Sequence, residues 1–599
     1  MLRVIIFHLT LTAALFAPGV FATLNYVTSQ NGVTATGQYN IDGSGSIAVS
    51  WTRTCTVCSW QLSTKYNNDP WVIQAVLPKG VTQATITGLR PGQEYQVKMD
   101  AKRAARWVNR ALLTSITGSF PDEDTILKQI IFFGRHSIRS STVPHDMLAQ
   151  YAYKDYPAFA PSSHSDNSPN TPVVPQGYLT PNGQTAAKLL GSYFREYLLR
   201  EGLLTGDPTT DLSHSYFRAN SIQRSNITAA KFGEGLIQVL SYTTIPVHSY
   251  PLGNPDPVFD PIATSLAMVP AVDLHLDPDL AVQQAVDKYG SGAALAIKYS
   301  DDLSLISQVL YSQTAIPKET PLMPPGTLSP PIPPALQYPK GSLDPTTQSF
   351  TLKPNSVVPI PPPATLSANA ITQAGGIIDV GGLGSTNTAA DTFVLQYADN
   401  FLLKNVAWQR LNLSEISQTT QLVTLQIDIE MRLPYVSQVQ SSNAASHVLR
   451  TMSQARYGSS GASGVFGDDN SEIKVITSSD YYVAGLAGLL DLTWTLPGYQ
   501  KDYIPPDGTI VFELRKSKIS KDYLVRAFYY AQSFDQLRNQ TPLSLIEPPE
   551  REQLKFGSLN EISFDDFNTL LSQKIDPRYV DPFSQVSPPP VCTLCQPLE

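Results

Sequence analysis

The sequence predicts an α/β domain built on a parallel sheet covered by helices, preceded by an all-β sandwich. Three observations lead there. Residues 23 to about 118 alternate apolar and polar in short runs separated by turn signals, the pattern of an antiparallel sandwich. From about 125 short apolar runs alternate with helical periodicity, as in a sheet flanked by helices. The chain has 599 residues, too many for one ordinary core, so two or three domains are expected.

In the first region Ser46 to Trp51 and Ala84 to Leu89 read as strands, and the turn Arg90-Pro91-Gly92 leads into a third from Tyr95 to Met99. In the second, Ile130 to Phe133 is an apolar run of strand length. Thr180 is a good N-cap, Pro181 suits the first helical position, and Gly202 closes a helix whose inner face is Ala187, Leu190, Phe194 and Leu198. A second helix from about Asn226 turns Ala229, Phe232, Leu236 and Leu240 inward. Residues 317–363 hold fifteen prolines, too many for a packed element, and read as an extended insertion. Long helical patterns occupy about 388–456. Ile473 to Thr477 is a strand, followed by a helix through Leu486, Leu489 and Leu490. Asp507-Gly508 ahead of Ile510 to Leu514 has the form of a hairpin turn.

Residues 1–22 have the form of a signal peptide, with Arg3 as the charged start, Val4 to Ala17 as the apolar stretch and Val20-Phe21-Ala22 as a small-x-small cleavage site. No later segment holds about 18 continuous apolar residues, so no membrane span is expected. The expected location is secreted or periplasmic. Cys55/Cys58 and Cys592/Cys595 form two CxxC pairs. In an oxidising compartment they read as disulfides; closely spaced CxxC units would suggest zinc, and these are far apart. Sequence does not choose between local closure and a tie from the C-terminal tail (556–599) to the sandwich. Charged residues make up 15% of the chain and the net charge is −8, with no Lys/Arg block to track a nucleic-acid backbone.

The segment with the most chemistry is Gly134-Arg135-His136-Ser137-Ile138-Arg139. A polar cluster placed at the C-terminal end of a buried strand is where α/β proteins bind ligands. Two guanidiniums can hold a phosphate by forked hydrogen bonds, and the imidazole between them can attack phosphorus and carry the phosphoryl group.

This segment resembles the signature R-H-G-x-R-x-P of the histidine acid phosphatases, the second branch of the histidine phosphatase superfamily. Three further blocks are similar in the same order: "LTPNGQTAAKLLGSYFREYLL", "RANSIQRSNITAAKFGEGL" and "VITSSDYYVAGLAGLLDLTWTLPGYQKDYIPPDGTIVFELR". The last looks most like bacterial periplasmic phytases and glucose-1-phosphatases. The resemblance spans 125–555 and implies a mainly helical cap beside the sheet. It implies a phosphomonoesterase in which His136 is the nucleophile, Arg135, Arg139 and Arg224 bind phosphate, and Asp480 is the proton donor, with no metal and no cofactor. Its partner would be a small-molecule phosphomonoester. The stretches "SIAVSWT" and "ATITGLRPGQEYQVKMDA" resemble a fibronectin type III domain, which implies a module binding some extracellular ligand, with Trp51, Leu89 and Tyr95 in its core.

The chain departs from the signature at three places. Ser479 replaces the histidine of a His-Asp pair; it can still hydrogen-bond phosphate but brings no charge. Ser137 replaces a glycine and is expected to crowd the loop. Ser141 replaces a proline, which is expected to loosen the turn. The alternative reading is therefore a catalytically impaired relative acting as an extracellular binding or scaffold protein. His145-Asp146 has no strand before it and reads as a surface pair. Asp391 aligns with an acidic position behind the site, and Val143 stands where phytases carry a substrate-holding lysine.

Overall fold

The computed structural model describes residues 27–117 and 124–592, apart from 41–43, 53–57, 104–105, 144–173, 240–242, 268–273, 291–293, 296–297, most of 312–383, 459–463 and 581–588. The signal-peptide reading, His145-Asp146 and nearly all of the proline-rich insertion lie outside the described residues. The chain divides into two compact units between Glu123 and Asp124.

The first unit has two antiparallel sheets. One is built from β1 (Val27–Gln30), β2 (Val33–Tyr39), β3 (Gly45–Trp51) and β6 (Gln83–Leu89); the other from β4 (Ser59–Tyr66), β5 (Val72–Leu77), β7 (Glu94–Arg103) and β8 (Arg106–Ile116). Inward residues of both sheets, among them Val49, Trp51, Trp60, Leu62, Leu89, Tyr95 and Val97, share one buried core. The Trp51 and Trp60 rings lie 5.5 Å apart. The Tyr95 hydroxyl accepts from the Arg90 amide at 3.1 Å, so the corner after β6 is tied to β7. Cys58 is buried in this core, and no cysteine among the described residues is free.

The second unit is organised around an eight-stranded sheet. Its strands are β9 (Thr125–Arg135), β10 (Ser215–Ala219), β11 (Val247–His248), β12 (Ile473–Ser478), β13 (Thr509–Ser517), β14 (Tyr523–Ala531), β15 (Glu550–Leu554) and β16 (Glu561–Ser563). The order is β11-β10-β12-β9-β13-β14-β15, with β16 also beside β14. The expected parallel sheet is therefore corrected to a mixed one. β11, β10, β12 and β9 run parallel, whereas β13 to β16 add an antiparallel half. Within that half, the few residues between β13 and β14 permit only an antiparallel hairpin.

Every residue of β9 is buried. Ile130 and Phe132 face one core together with helices α1 (Pro181–Glu201) and α2 (Gln223–Ile237). Ile131 and Phe133 face the other, with α3 (Gly384–Ala398), α4 (Leu413–Met431), α5 (Pro434–Tyr457) and α6 (Asp480–Leu489). This alternation of faces is the pleat of a fully covered strand. α1 begins and ends as its capping residues predict: the Thr180 side chain accepts from the Gly183 amide, and Gly202 is left-handed. α1 and α2 meet through glycines. A Cβ on Gly191 would lie 2.1 Å from the Phe232 carbonyl oxygen, and one on Gly235 2.0 Å from that of Lys188. α2 stops at Ile237, with Gln238 as a left-handed cap, short of the Leu240 expected to extend it. The stretch read as a tail from 556 continues the domain: α7 (Phe564–Lys574) buries Phe564, Phe567 and Leu571 in the larger core. The Cys592 amide donates to the Val247 carbonyl.

One buried carboxyl ties α1 to α3. Asp399 accepts from the Thr180 hydroxyl at 2.6 Å, and burial raises it from 3.8 to about 8 despite that bond. A raised carboxyl adds stability fully present below its unfolded value and lost as pH rises through its folded one. Asp399→Asn, which keeps an acceptor for Thr180, is therefore expected to leave stability unchanged near about pH 4 and to raise it by roughly 2–5 kcal/mol near about pH 9. Denaturant unfolding at the two pH values checks this.

Candidate active site

β9 and β12 are adjacent and parallel, with Arg135 paired to Ser478. The His136 amide donates to the Ser478 carbonyl at 2.8 Å. Two segments far apart in sequence thus leave the sheet side by side, one carrying Arg135-His136 and the other Ser479-Asp480. Ser479 is the extended N-cap of α6, and its side chain makes no capping hydrogen bond. Asp480 is the first residue of α6, where the helix dipole favours negative charge. One Asp480 oxygen accepts from the Tyr481 amide at 3.2 Å; the other lies 3.2 Å from Arg135 Nη2.

Arg135 is wholly buried. It donates to the Ile504 carbonyl at 2.5 Å and to Asp391 at 3.2 Å. Burial opposes its charge, but Asp480 and Asp391 outweigh burial and hold it firmly cationic. Arg139 donates to the other Asp391 oxygen at 2.7 Å. Asp391, on α3, therefore bridges two of the three arginines; burial pushes its carboxyl up, and Arg139 and Arg135 bring it below its usual range. Arg224, in the first turn of α2, donates to the Gly177 carbonyl at 3.2 Å. Among the described residues it makes no ion pair. Burial, reinforced by Arg139 and Arg135 and opposed by Asp480, lowers it to about 10. It is the least neutralised cation of the three. The Nε atoms of Arg135, Arg139 and Arg224 are buried without a hydrogen-bond partner.

His136 is 2% exposed. Its Nδ1 lies 2.9 Å from the Ser137 carbonyl oxygen. A carbonyl can only accept, so Nδ1 carries the proton and, in the neutral ring, Nε2 keeps its lone pair. Burial, then Arg224, Arg135 and Arg139, hold the ring well below the ordinary histidine value. The imidazole is thus neutral through mildly acidic pH.

The structure corrects both expectations about the loop. Ser137 does not crowd it: the hydroxyl points to Asp507 and donates to it at 2.5 Å. Ser141 does not leave the turn loose. Its hydroxyl accepts from the Val143 amide at 3.1 Å, its carbonyl accepts from Gly177 at 2.8 Å, and Ser140 bonds to Tyr178. Hydrogen bonds replace the ring of a proline.

Asp507, read as half of a hairpin turn, is instead a left-handed residue (φ 61°) leading into β13. Its carboxyl is buried and raised to about 7 by burial, against the Ser137 hydrogen bond and Arg135. Nothing local in the sequence marked it, since its partner is 370 residues away along the chain. Val143 packs against the larger core. Among the described residues no group of three or more His, Cys, Asp or Glu is placed to hold a metal ion, and no helix is long and apolar enough to cross a membrane.

The His136 imidazole, the three guanidiniums and the Asp480 carboxyl at a helix N-terminus thus gather at the strand ends, on a fold similar to that of solved phytases. The chain is 22% identical to Hafnia alvei phytase in complex with tartrate, with a TM-score of 0.58 over 76% of this chain and 99% of that one. It is 20% identical to the phytase from Citrobacter braakii, with a TM-score of 0.58 over 76% of this chain and all of that one. Among curated proteins it is 23% identical to glucose-1-phosphatase of Providencia rettgeri over 463 residues, covering 76% of this chain and 93% of the relative. It is 23% identical to phytase AppA of Escherichia coli (strain K12) over 439 residues, covering 73% and 87%. No protein-family model matches. These relatives are phosphatases, and the likeness supports the histidine acid phosphatase family.

Proposed function

We propose that this chain is a secreted acid phosphomonoesterase working through a phosphohistidine at His136. The observation that carries the reading is the neutral, Nδ1-protonated ring among Arg135, Arg139 and Arg224. The Nε2 lone pair forms the P–N bond as the P–O bond to the leaving alcohol breaks, and Asp480 gives that oxygen its proton. Water then attacks phosphorus, the P–N bond breaks, and Asp480 takes a proton back. The arginines stabilise the equatorial oxygens throughout, and Ser479 offers phosphate a hydroxyl. No metal or cofactor enters the scheme. The first unit is read as a fibronectin type III-like module that binds an extracellular ligand, and the CxxC cysteines as disulfides formed after export.

The test is an aryl phosphate assay of the mature protein from acid to neutral pH, beside His136→Ala. The expected result is turnover that does not fall as pH drops through the ordinary histidine range, because the ring is already neutral there. Absence of turnover with inorganic phosphate still bound would favour the second reading, a non-catalytic binding protein, whose support is the uncharged Ser479. In the enzyme reading, Ser479→His restores a charged phosphate contact and raises kcat by about 10²-fold. An unchanged kcat removes Ser479 from the site.

A further inference from the structure

Ser137 is held at three points. Its amide donates to Thr228 Oγ1 at 3.0 Å, its hydroxyl donates to Asp507 Oδ2 at 2.5 Å, and its carbonyl accepts from His136 Nδ1 at 2.9 Å. Asp507 also donates its own amide to the His136 carbonyl at 3.2 Å. Asp507 therefore holds the peptide that follows His136 through its amide and the Ser137 hydroxyl through its carboxyl. The turn it belongs to is fixed in turn: the Arg135 amide donates to the Gly508 carbonyl at 2.8 Å, and the Gly508 amide to Pro505 at 2.9 Å. Ser137 is 0% exposed and Asp507 4%, so water does not compete for these bonds and each is costly to leave unmade.

We propose that Ser137 and Asp507 are a positioning pair for His136: they fix the Ser137 carbonyl against Nδ1, and so hold the ring in the tautomer that leaves Nε2 free to attack. The proposal rests on the phosphohistidine reading. Neither residue meets the substrate. The serine that departs from the family glycine thus has a specific partner and a specific effect, exerted through the nucleophile.

The experiment compares Ser137→Ala, Asp507→Ala, Asp507→Asn and the double alanine variant with the unaltered protein. Nitrogen NMR of labelled histidine reads the His136 tautomer, its signal assigned by its loss in His136→Ala. Aryl phosphate kinetics and inhibition by inorganic phosphate are measured alongside. The expected result is a roughly tenfold fall in kcat in each alanine variant, with phosphate inhibition changed less than about twofold. The double variant is then no worse than either single one, because the two act as a unit. Asp507→Asn, whose amide oxygen still accepts from Ser137, keeps most of kcat. The ring signal shifts from the pure Nδ1-protonated form toward a mixture in both alanine variants. Unchanged kcat and tautomer in Ser137→Ala, or losses that multiply in the double variant, overturn the pair. Ser137→Ala removes one oxygen and carries the test alone should Asp507→Ala not fold. If the unaltered protein shows no turnover, the phosphohistidine reading is what fails, and the tautomer readout still decides the pair.

Discussion

Replacing His136 by Ala lowers aryl phosphate turnover by at least about 10⁴-fold, the scale on which removal of a covalent nucleophile acts. Anion binding survives, because the three arginines and the Asp391 bridge between Arg135 and Arg139 do not depend on the ring. Inhibition by inorganic phosphate therefore changes by less than about tenfold. A stability signature accompanies the loss. The folded ring is held well below its ordinary value. It contributes stability present above the unfolded value and lost as pH falls below it. The alanine variant escapes that loss, so its stability relative to the unaltered protein improves as pH is lowered from about 7 to 5. Kinetics, phosphate titration and unfolding at the two pH values check the three parts.

Replacing Asp480 by Ala separates proton donation from charge. An alkyl phosphate, whose leaving alcohol needs a proton, loses about 10³-fold in kcat; a nitrophenyl phosphate, whose leaving group departs as an anion, loses about tenfold. The same change removes one of the two carboxylates on Arg135 and the acid that opposes the arginine repulsion at Arg224. Inorganic phosphate then binds several-fold more tightly. Equal losses for the two substrates would show that Asp480 acts only as a structural counter-charge.

The parts of this site that were legible in the sequence are those with local signatures. The apolar run into Arg135, the cap at Thr180 and the strand-to-helix step at Asp480 each follow from neighbours in the chain. Their convergence was legible only through the resemblance of four separated blocks. The antiparallel half of the sheet was not legible: β13 is buried on both faces for most of its length, so its apolar run carries no mark of direction. Asp507 looked like a turn residue, and it is one, but its carboxyl serves Ser137, a residue far away in the sequence. Asp391 aligned with an acidic position, yet its hold on two arginines at once is a property of α3 lying over the strand ends. The departure at Ser137 looked harmful because its compensating hydrogen bond, to Asp507, is tertiary; at Ser141 one compensating bond is local, to Val143, and one is tertiary, from Gly177.

The central claim is that phosphorus passes through the His136 ring. It is tested most directly by mixing the protein with an aryl phosphate, quenching in alkali, where a phosphoramidate survives, and mapping the phosphoryl group by peptide mass spectrometry. The account predicts one phosphoryl group on the peptide containing His136, absent in His136→Ala and longer-lived when water attack is slowed in Asp480→Ala. Turnover with no phosphoryl group on that peptide, or with the group on another residue, would contradict it.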